Sequence, residues 1–226
     1  MKGDRNDISK MTDILLKASR EIGRDLGERE VRLFQDYARE LLFWNAKTNL
    51  VSLQSPLDLP VKHFVDSLTA ADAIANRTGC LLDMGAGAGF PGIPLKIVFP
   101  SLNLTLLDAS RKKTSFLRAV VRRLELGSTT VVNQRAEILL SDETFRDRFD
   151  TVISRAALKL PEYLRLGSGF LAPGGLLVAM KGPGFEAEKE ASLPLLREAG
   201  LIFSSSRDIL LPLTGDFRKI LIFQKA

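Results

Sequence analysis

The stretch that most constrains the chain is Leu81-Leu82-Asp83-Met84-Gly85-Ala86-Gly87-Ala88-Gly89-Phe90-Pro91-Gly92. An apolar run ends near a carboxylate, and four glycines then fall within eight positions. Glycine takes positive φ and lets a ligand approach where a Cβ would stand. A strand delivered into such a turn, with a helix after it, builds a nucleotide-binding crevice at the carboxyl end of the strand. The helix is predicted to begin at Gly92 or Ile93 and run to Val98, because Pro94 is tolerated in a first turn that needs no amide donor. Its free N–H groups and dipole suit a carboxylate or a phosphate.

Two kinds of cofactor fit this run. Gly87-Ala88-Gly89-Phe90-Pro91-Gly92 satisfies the G-x-G-x-x-G dinucleotide pattern. The longer reading, Asp83-x-Gly85-x-Gly87-x-Gly89, resembles the first motif of S-adenosylmethionine-dependent methyltransferases, in which the acidic residue helps hold the methionine end. A glycine-rich turn with no ligand is the plain alternative.

At 226 residues the chain has room for one substantial α/β domain and a small accessory segment. No apolar run approaches the roughly 20 residues that span a bilayer. The start, Met1-Lys2-Gly3-Asp4-Arg5-Asn6-Asp7, lacks the apolar core of a signal peptide. A single cysteine, Cys80, excludes an intramolecular disulfide framework and fits a reducing compartment. A cytoplasmic protein with no membrane partner is therefore expected. The net charge of +5 permits a nucleic-acid partner without requiring one.

The chain divides into a helical segment, 1–78, expected to pack on a main domain, 79–226, as one unit. Residues 1 to about 9 read as loose. Helical periodicity follows over 8–22, 28–44 and 60–75. The third stretch holds the one histidine, His63, close to Asp66 and Ser67. No nucleophile pattern accompanies His63, so hydrogen bonding and packing describe it better than catalysis, with RNA contact as the alternative.

After Cys80 strands and helices alternate. Strands are predicted at 80–84, 103–108, 129–133, 149–154 and 174–181, and helices at 92–98, 111–125, 135–141, 161–170 and 185–198. The pattern signals a mostly parallel, doubly wound sheet with helices on both faces. Two further strand-like runs, 201–207 and 218–225, are separated by Pro212 and Gly215 and read as a closing hairpin. The expected fold is α/β, Rossmann-like, with seven strands and an N-terminal helical extension.

Asp108 ends the second strand, 19 residues beyond Gly89. An acid there accepts hydrogen bonds from ribose hydroxyls in either cofactor class; a surface carboxylate is the alternative. Ala136 and Glu137 follow the third strand, at the edge of an adenine in the methyltransferase layout. Glu137 equally suits the first turn of a helix. Past the fourth strand, Ser154-Arg155-Ala156 carries neither the Asn/Asp-Pro-Pro-aromatic motif of amino-group methylation nor a cysteine nucleophile. Arg155 holds phosphates or base edges but takes up no proton at neutral pH, which fits an acceptor atom with a free lone pair. Arg111, Lys112, Lys113, Arg118, Arg122 and Arg123 place six cations in thirteen residues without an acid. A solvated face usually mixes signs, so this patch favours RNA phosphates, and Arg135, Arg155, Lys159 and Lys181 would extend it.

With these pieces in order, the chain resembles the ribosomal RNA small subunit methyltransferase G family, also called glucose-inhibited division protein B, over about 31–224. The resemblance rests on Trp44-Asn45-Ala46-Lys47-Thr48-Asn49-Leu50, His63-Phe64-Val65-Asp66-Ser67-Leu68 and Gly-Phe-Pro-Gly-Ile-Pro directly after the glycine run. Leu106-Leu107-Asp108, Arg135-Ala136-Glu137, Ser154-Arg155-Ala156 and Pro173-Gly174-Gly175 complete it. It implies methylation of N7 of one guanine in 16S ribosomal RNA, with S-adenosylmethionine as cofactor and no general base. It implies cofactor contacts at Gly85, Phe90, Asp108, Ala109, Ser110, Ala136, Glu137 and Arg155, beside Asp83, Gly87 and Gly89 of the glycine motif. Lys112, Arg135 and Arg155 become the positioning or electrostatic residues. The expected partner is 16S RNA or the small subunit, with no DNA, no metal and a monomeric enzyme. Past Arg155 the chain reads Ala-Ala-Leu-Lys-Leu-Pro, unlike the family's more usual apolar continuation. Three other readings stay in view, the first an S-adenosylmethionine-dependent methyltransferase acting on another RNA or on a small molecule. A nicotinamide oxidoreductase would need a hydride-transfer residue that the sequence does not offer, and a non-catalytic RNA-binding assembly factor would not need the cofactor motif.

Overall fold

The computed structural model describes residues 2–74, 76–155 and 157–226. Met1, Ala75 (the predicted end of the third helical stretch) and Ala156 of the Ser154-Arg155-Ala156 motif lie outside the described residues.

Seven strands form one sheet in the order β3-β2-β1-β4-β5-β7-β6. They are β1 (Cys80–Met84), β2 (Asn103–Leu107), β3 (Thr129–Val132), β4 (Phe149–Arg155), β5 (Leu171–Lys181), β6 (Leu201–Leu210) and β7 (Phe217–Lys225). The first five run parallel, and β7 pairs antiparallel with both β5 and β6. Strand order reverses between β1 and β4, and in open α/β sheets that reversal opens the ligand crevice. The predicted closing hairpin is thus present at the sheet edge.

β5 begins three residues earlier than predicted. Pro173-Gly174-Gly175 reads as a turn in sequence, but it lies inside the strand as an irregularity, with the β4 register jumping between Phe149 and Thr151. Gly174 absorbs it at φ +75°, a left-handed conformation that glycine takes freely.

The helices are α1 (Lys2–Glu21), α2 (Glu28–Thr48), α3 (Asp66–Leu68), α4 (Gly92–Val98), α5 (Arg111–Arg123), α6 (Ala136–Leu139), α7 (Leu160–Ser168) and α8 (Glu186–Glu198). α1 starts at Lys2, so the backbone expected to be loose is helical. The predicted third helix is composite: wide π-type turns (Asp58–Val65), the single α turn α3, then 3-10 turns (Thr69–Ala73). Among the described residues no helix is long and apolar enough to cross a membrane.

Strand alternation splits the core across the sheet. Leu81, Ile153 and Val178 face one layer with α1, α2, the 58–74 turns and α5; Leu82, Val152 and Leu177 face the other with α7. The N-terminal helices therefore share a continuous apolar cluster with the sheet. Its centre is aromatic: Phe34, Tyr37 and Phe64 are fully buried, with ring centroids of Phe64 at 4.9 Å from Phe34 and 5.3 Å from Tyr37. Burying each such side chain contributes about 2 kcal/mol. Phe90 joins the cluster from the glycine turn, 5.6 Å from Tyr37, so the extension bears directly on the crevice.

Candidate active site

The turn after β1 is held from below by its neighbours. The Gly85 and Ala86 N–H groups both donate to the Leu107 carbonyl at the end of β2, at 2.8 and 2.9 Å. The Ser154 hydroxyl of β4 donates to the Met84 carbonyl at 2.7 Å, and the Tyr37 hydroxyl of α2 donates to the Ala88 carbonyl. Gly85, Gly87 and Gly89 all take positive φ. At Gly89 a Cβ would come within 2.4 Å of Ile93 Cδ1 and 2.7 Å of the Tyr37 hydroxyl, so packing as well as φ demands glycine.

Asp83 is fully buried behind this turn. Its Oδ2 accepts from the Gly92 N–H at 2.8 Å, while its Oδ1 has no partner. The Ile93 N–H donates to the Gly89 carbonyl at 2.8 Å. These two bonds correct the expectation that the start of α4 offers free amides to an outside anion: the chain supplies its own carboxylate there. Asp83 tethers the turn and does not line the cleft.

The cleft itself occupies about 600 Å³, within the size range of small-molecule sites, roughly 300–1,000 Å³. The sequence-predicted residues Gly85, Gly87, Phe90, Asp108, Ala109, Arg135, Ala136, Glu137 and Arg155 all line it. Gly89, Ser110, Lys112 and Asp83 do not. Ser110 caps α5 instead, its hydroxyl accepting from the Lys113 N–H at 3.4 Å. Lys112 is exposed on α5 beside Arg111, Arg118, Arg122 and Arg123, all on the solvent side. Lys113, one helical step on, lines the cleft with its Nζ 3.9 Å from the Asp108 carboxylate.

Asp108 bridges the two cofactor-facing turns. Its Oδ2 accepts from Gly87 N–H at 2.9 Å and its Oδ1 from Ser110 N–H at 2.8 Å. Each oxygen keeps lone-pair capacity for a further donor. A glycine cradle, an acceptor carboxylate beside it and a second carboxylate at Glu137 fit the ribose hydroxyls and amino groups of S-adenosylmethionine.

Arg155 closes the opposite wall and is locked there. Its Nη1 donates to the Lys62 carbonyl at 2.8 Å and to Asp66 Oδ2 at 3.0 Å; its Nη2 lies 3.0 Å from His63 Nδ1. The guanidinium sits 5.0 Å from the Phe90 ring centroid, and the His63 ring stacks on Phe90 at 4.9 Å. Asp66 Oδ2 also accepts from Arg218 Nε at 3.2 Å. The expectation that His63 serves hydrogen bonding and packing matches this geometry. Asp66, Arg218 and Lys62 were not legible as site residues. The only sequence hint was the nearness of Asp66 to His63.

Burial lifts Asp83 to about 7, against the opposing pull of the Gly92 N–H and Arg155. Burial and then Arg155 lower His63 to about 4, so His63 is neutral at physiological pH and accepts from Arg155. Between pH 4 and 7 folded Asp83 keeps a proton that the unfolded chain has released, so its contribution to stability falls as pH rises. Folded His63 works the other way between 4 and 6.5, lacking a proton that the unfolded chain binds. Asp83→Asn, which keeps an acceptor for Gly92, removes the first slope alone. Its stability relative to the parent is expected to improve by on the order of 4 kcal/mol from pH 4 to pH 7. Urea midpoints at the two pH values measure this, and a constant difference would contradict the assignment.

Comparison with known proteins agrees with this layout. The family model described as rRNA small subunit methyltransferase G matches residues 30–200. The chain is 45% identical to the ribosomal RNA small subunit methyltransferase G of Syntrophus aciditrophicus, covering 99% of this chain and 93% of that protein. It is 35% identical to the protein of the same name from Acetivibrio thermocellus, covering 96% and 89% respectively. The fold is also that of the M. jannaschii TYW2 structure in complex with AdoMet, with a TM-score of 0.54 at 15% identity over 70% of this chain and 74% of that one. The family-model match over residues 30–200 and the 45% identity along nearly the whole chain place the chain in the rRNA small subunit methyltransferase G family.

Proposed function

We propose that this protein transfers a methyl group from S-adenosylmethionine to N7 of one guanine in 16S ribosomal RNA, as a cytoplasmic enzyme. The observation that carries the chemistry is Arg155: a permanently charged side chain that takes up no proton lines the cleft at the end of β4, locked by three partners. Bound S-adenosylmethionine supplies a methyl carbon activated by a positive sulfur, which a ring nitrogen with a free lone pair accepts without losing a proton. The chain's task is then to hold and orient. Asp108, Glu137 and the Gly85–Gly87 cradle hold the cofactor, and Phe90 and Arg155 fix the wall beside it. Such positioning and preorganised charge are the main sources of rate when no proton moves.

Beside Arg155, His63 is neutral and committed to that guanidinium, and Asp66 Oδ2 is shared by Arg155 and Arg218. The exposed cations of α5 supply the phosphate attraction that an RNA substrate needs, and Arg135 stands at the rim of the cleft. The N-terminal helices and the sheet domain work as one unit, since Arg155 is anchored across their junction.

The test is incubation with labelled S-adenosylmethionine and either naked 16S RNA or small subunits from a strain lacking the enzyme. Transfer of one methyl per RNA is expected, together with binding that weakens steeply as salt rises. Tight cofactor binding without transfer to any RNA would contradict the proposal.

A further inference from the structure

A second cavity of about 500 Å³ meets the cofactor cleft at Arg155, which lines both. It lies outside the carboxyl ends of β4 and β5, where Arg155, Met180, Lys181 and Gly182 reach it, and Arg218 enters from the start of β7. Ligands of open α/β sheets bind at that end. Its walls mix donors (Lys62, Arg218, Arg155) with carboxylates (Asp58, Asp66) over the apolar Met180. Among these groups Asp66 stands out. It is 2% exposed, its Oδ2 is shared by Arg155 and Arg218, and its Oδ1 has no partner. A buried acceptor left without a donor is costly.

We propose that this cavity receives the target guanine and that Asp66 reads its N1–H and amino edge. The assignment rests on the methyltransferase reading above and names its acceptor site. Guanine carries donors on that edge and the O6 and N7 acceptors on the other, so seating it on Asp66 turns N7 away from the carboxylate. Adenine has an acceptor at N1 and would face Asp66 with a lone pair. The same contact assists the reaction. As the N7 lone pair forms the new N–C bond, the C–S pair returns to sulfur and the base takes up the positive charge. The N1–H and amino hydrogens become stronger donors, so the bond to Asp66 tightens in the transition state, which is the condition for lowering a barrier.

The experiment uses small subunits from a strain lacking the enzyme, assembled with guanosine or with a single inosine at the methylated position. Inosine lacks the amino group. Inosine is expected to lower kcat/KM roughly tenfold to hundredfold for the parent enzyme. In Asp66→Asn the guanosine particle is expected to react slowly and the inosine penalty to disappear, since the two changes remove one interaction. Gly182→Phe gives a check that does not disturb the buried pairs, because a Cβ there meets nothing within 4 Å. It should block the cavity, reducing transfer while cofactor affinity stays within about twofold. Equal turnover of guanosine and inosine, an inosine penalty undiminished in Asp66→Asn, or full activity of Gly182→Phe would each overturn the assignment. Failure of the parent enzyme on the guanosine particle would instead overturn the functional reading itself.

Discussion

Arg155→Ala is expected to reduce methyl transfer about hundredfold or more, the scale of losing a preorganised charged donor in an active site. The structure adds a stability loss, because Asp66 is 2% exposed and Arg155 is one of its two guanidinium partners. Breaking a buried ion pair from one side costs about 3–5 kcal/mol, and Arg218, still in place, holds the loss toward about 3 kcal/mol. Arg155→Lys separates the two effects. An ammonium keeps the charge beside Asp66 but lacks the planar fork that reaches the Lys62 carbonyl, Asp66 and His63 together. Thermal melting should recover in the lysine variant while single-turnover transfer does not. Near-normal transfer with either substitution would remove Arg155 from the site.

The glycine turn yields the second large effect, and the three glycines differ. Gly89→Ala is expected to destabilise the fold by about 3 kcal/mol, from φ strain of about 1 kcal/mol and overpacking of about 2 kcal/mol. Its φ is +92° and its Cβ would overlap both Ile93 and Tyr37. Gly87→Ala meets only the Gly85 carbonyl oxygen, at 3.9 Å, with φ +59°. That variant should fold with a loss near 1 kcal/mol yet bind cofactor about tenfold more weakly, since Gly87 lines the cleft. Denaturant midpoints and cofactor titration of the two variants measure the contrast. Equal effects on folding would show that the turn does not discriminate between packing and ligand space.

What could be read in advance follows from how far apart the cooperating residues lie. The sheet, its closing hairpin, the glycine turn and Asp108 are local patterns: alternation, turn residues and a fixed distance to the next strand. Arg155 was placed by counting strands. Its clamp was not legible, because Asp66 lies 89 residues from Arg155 and 152 from Arg218, and no spacing rule links such positions. The bond from Gly92 to Asp83 was not legible for a related reason. A motif shows that a carboxylate is needed but not which side of the turn it faces, and here it faces inward to Gly92. Lys112 and Lys113 show the limit at one helical step: about 100° of rotation puts one in solvent and the other beside Asp108. The Pro173-Gly174-Gly175 stretch carries ordinary turn chemistry, and only the pairing of β4 with β5 absorbs it into a strand.

The most direct test of base-free transfer to a ring nitrogen is mapping the methylated atom by chemical cleavage. Methylation at N7 makes a guanosine susceptible to borohydride reduction and subsequent aniline scission of the RNA chain. Small subunits methylated by this protein are expected to give RNA cut at one new position, with the label recovered as 7-methylguanine. Label incorporated without any new cut would mean that the acceptor is an atom other than guanine N7 and would contradict the account.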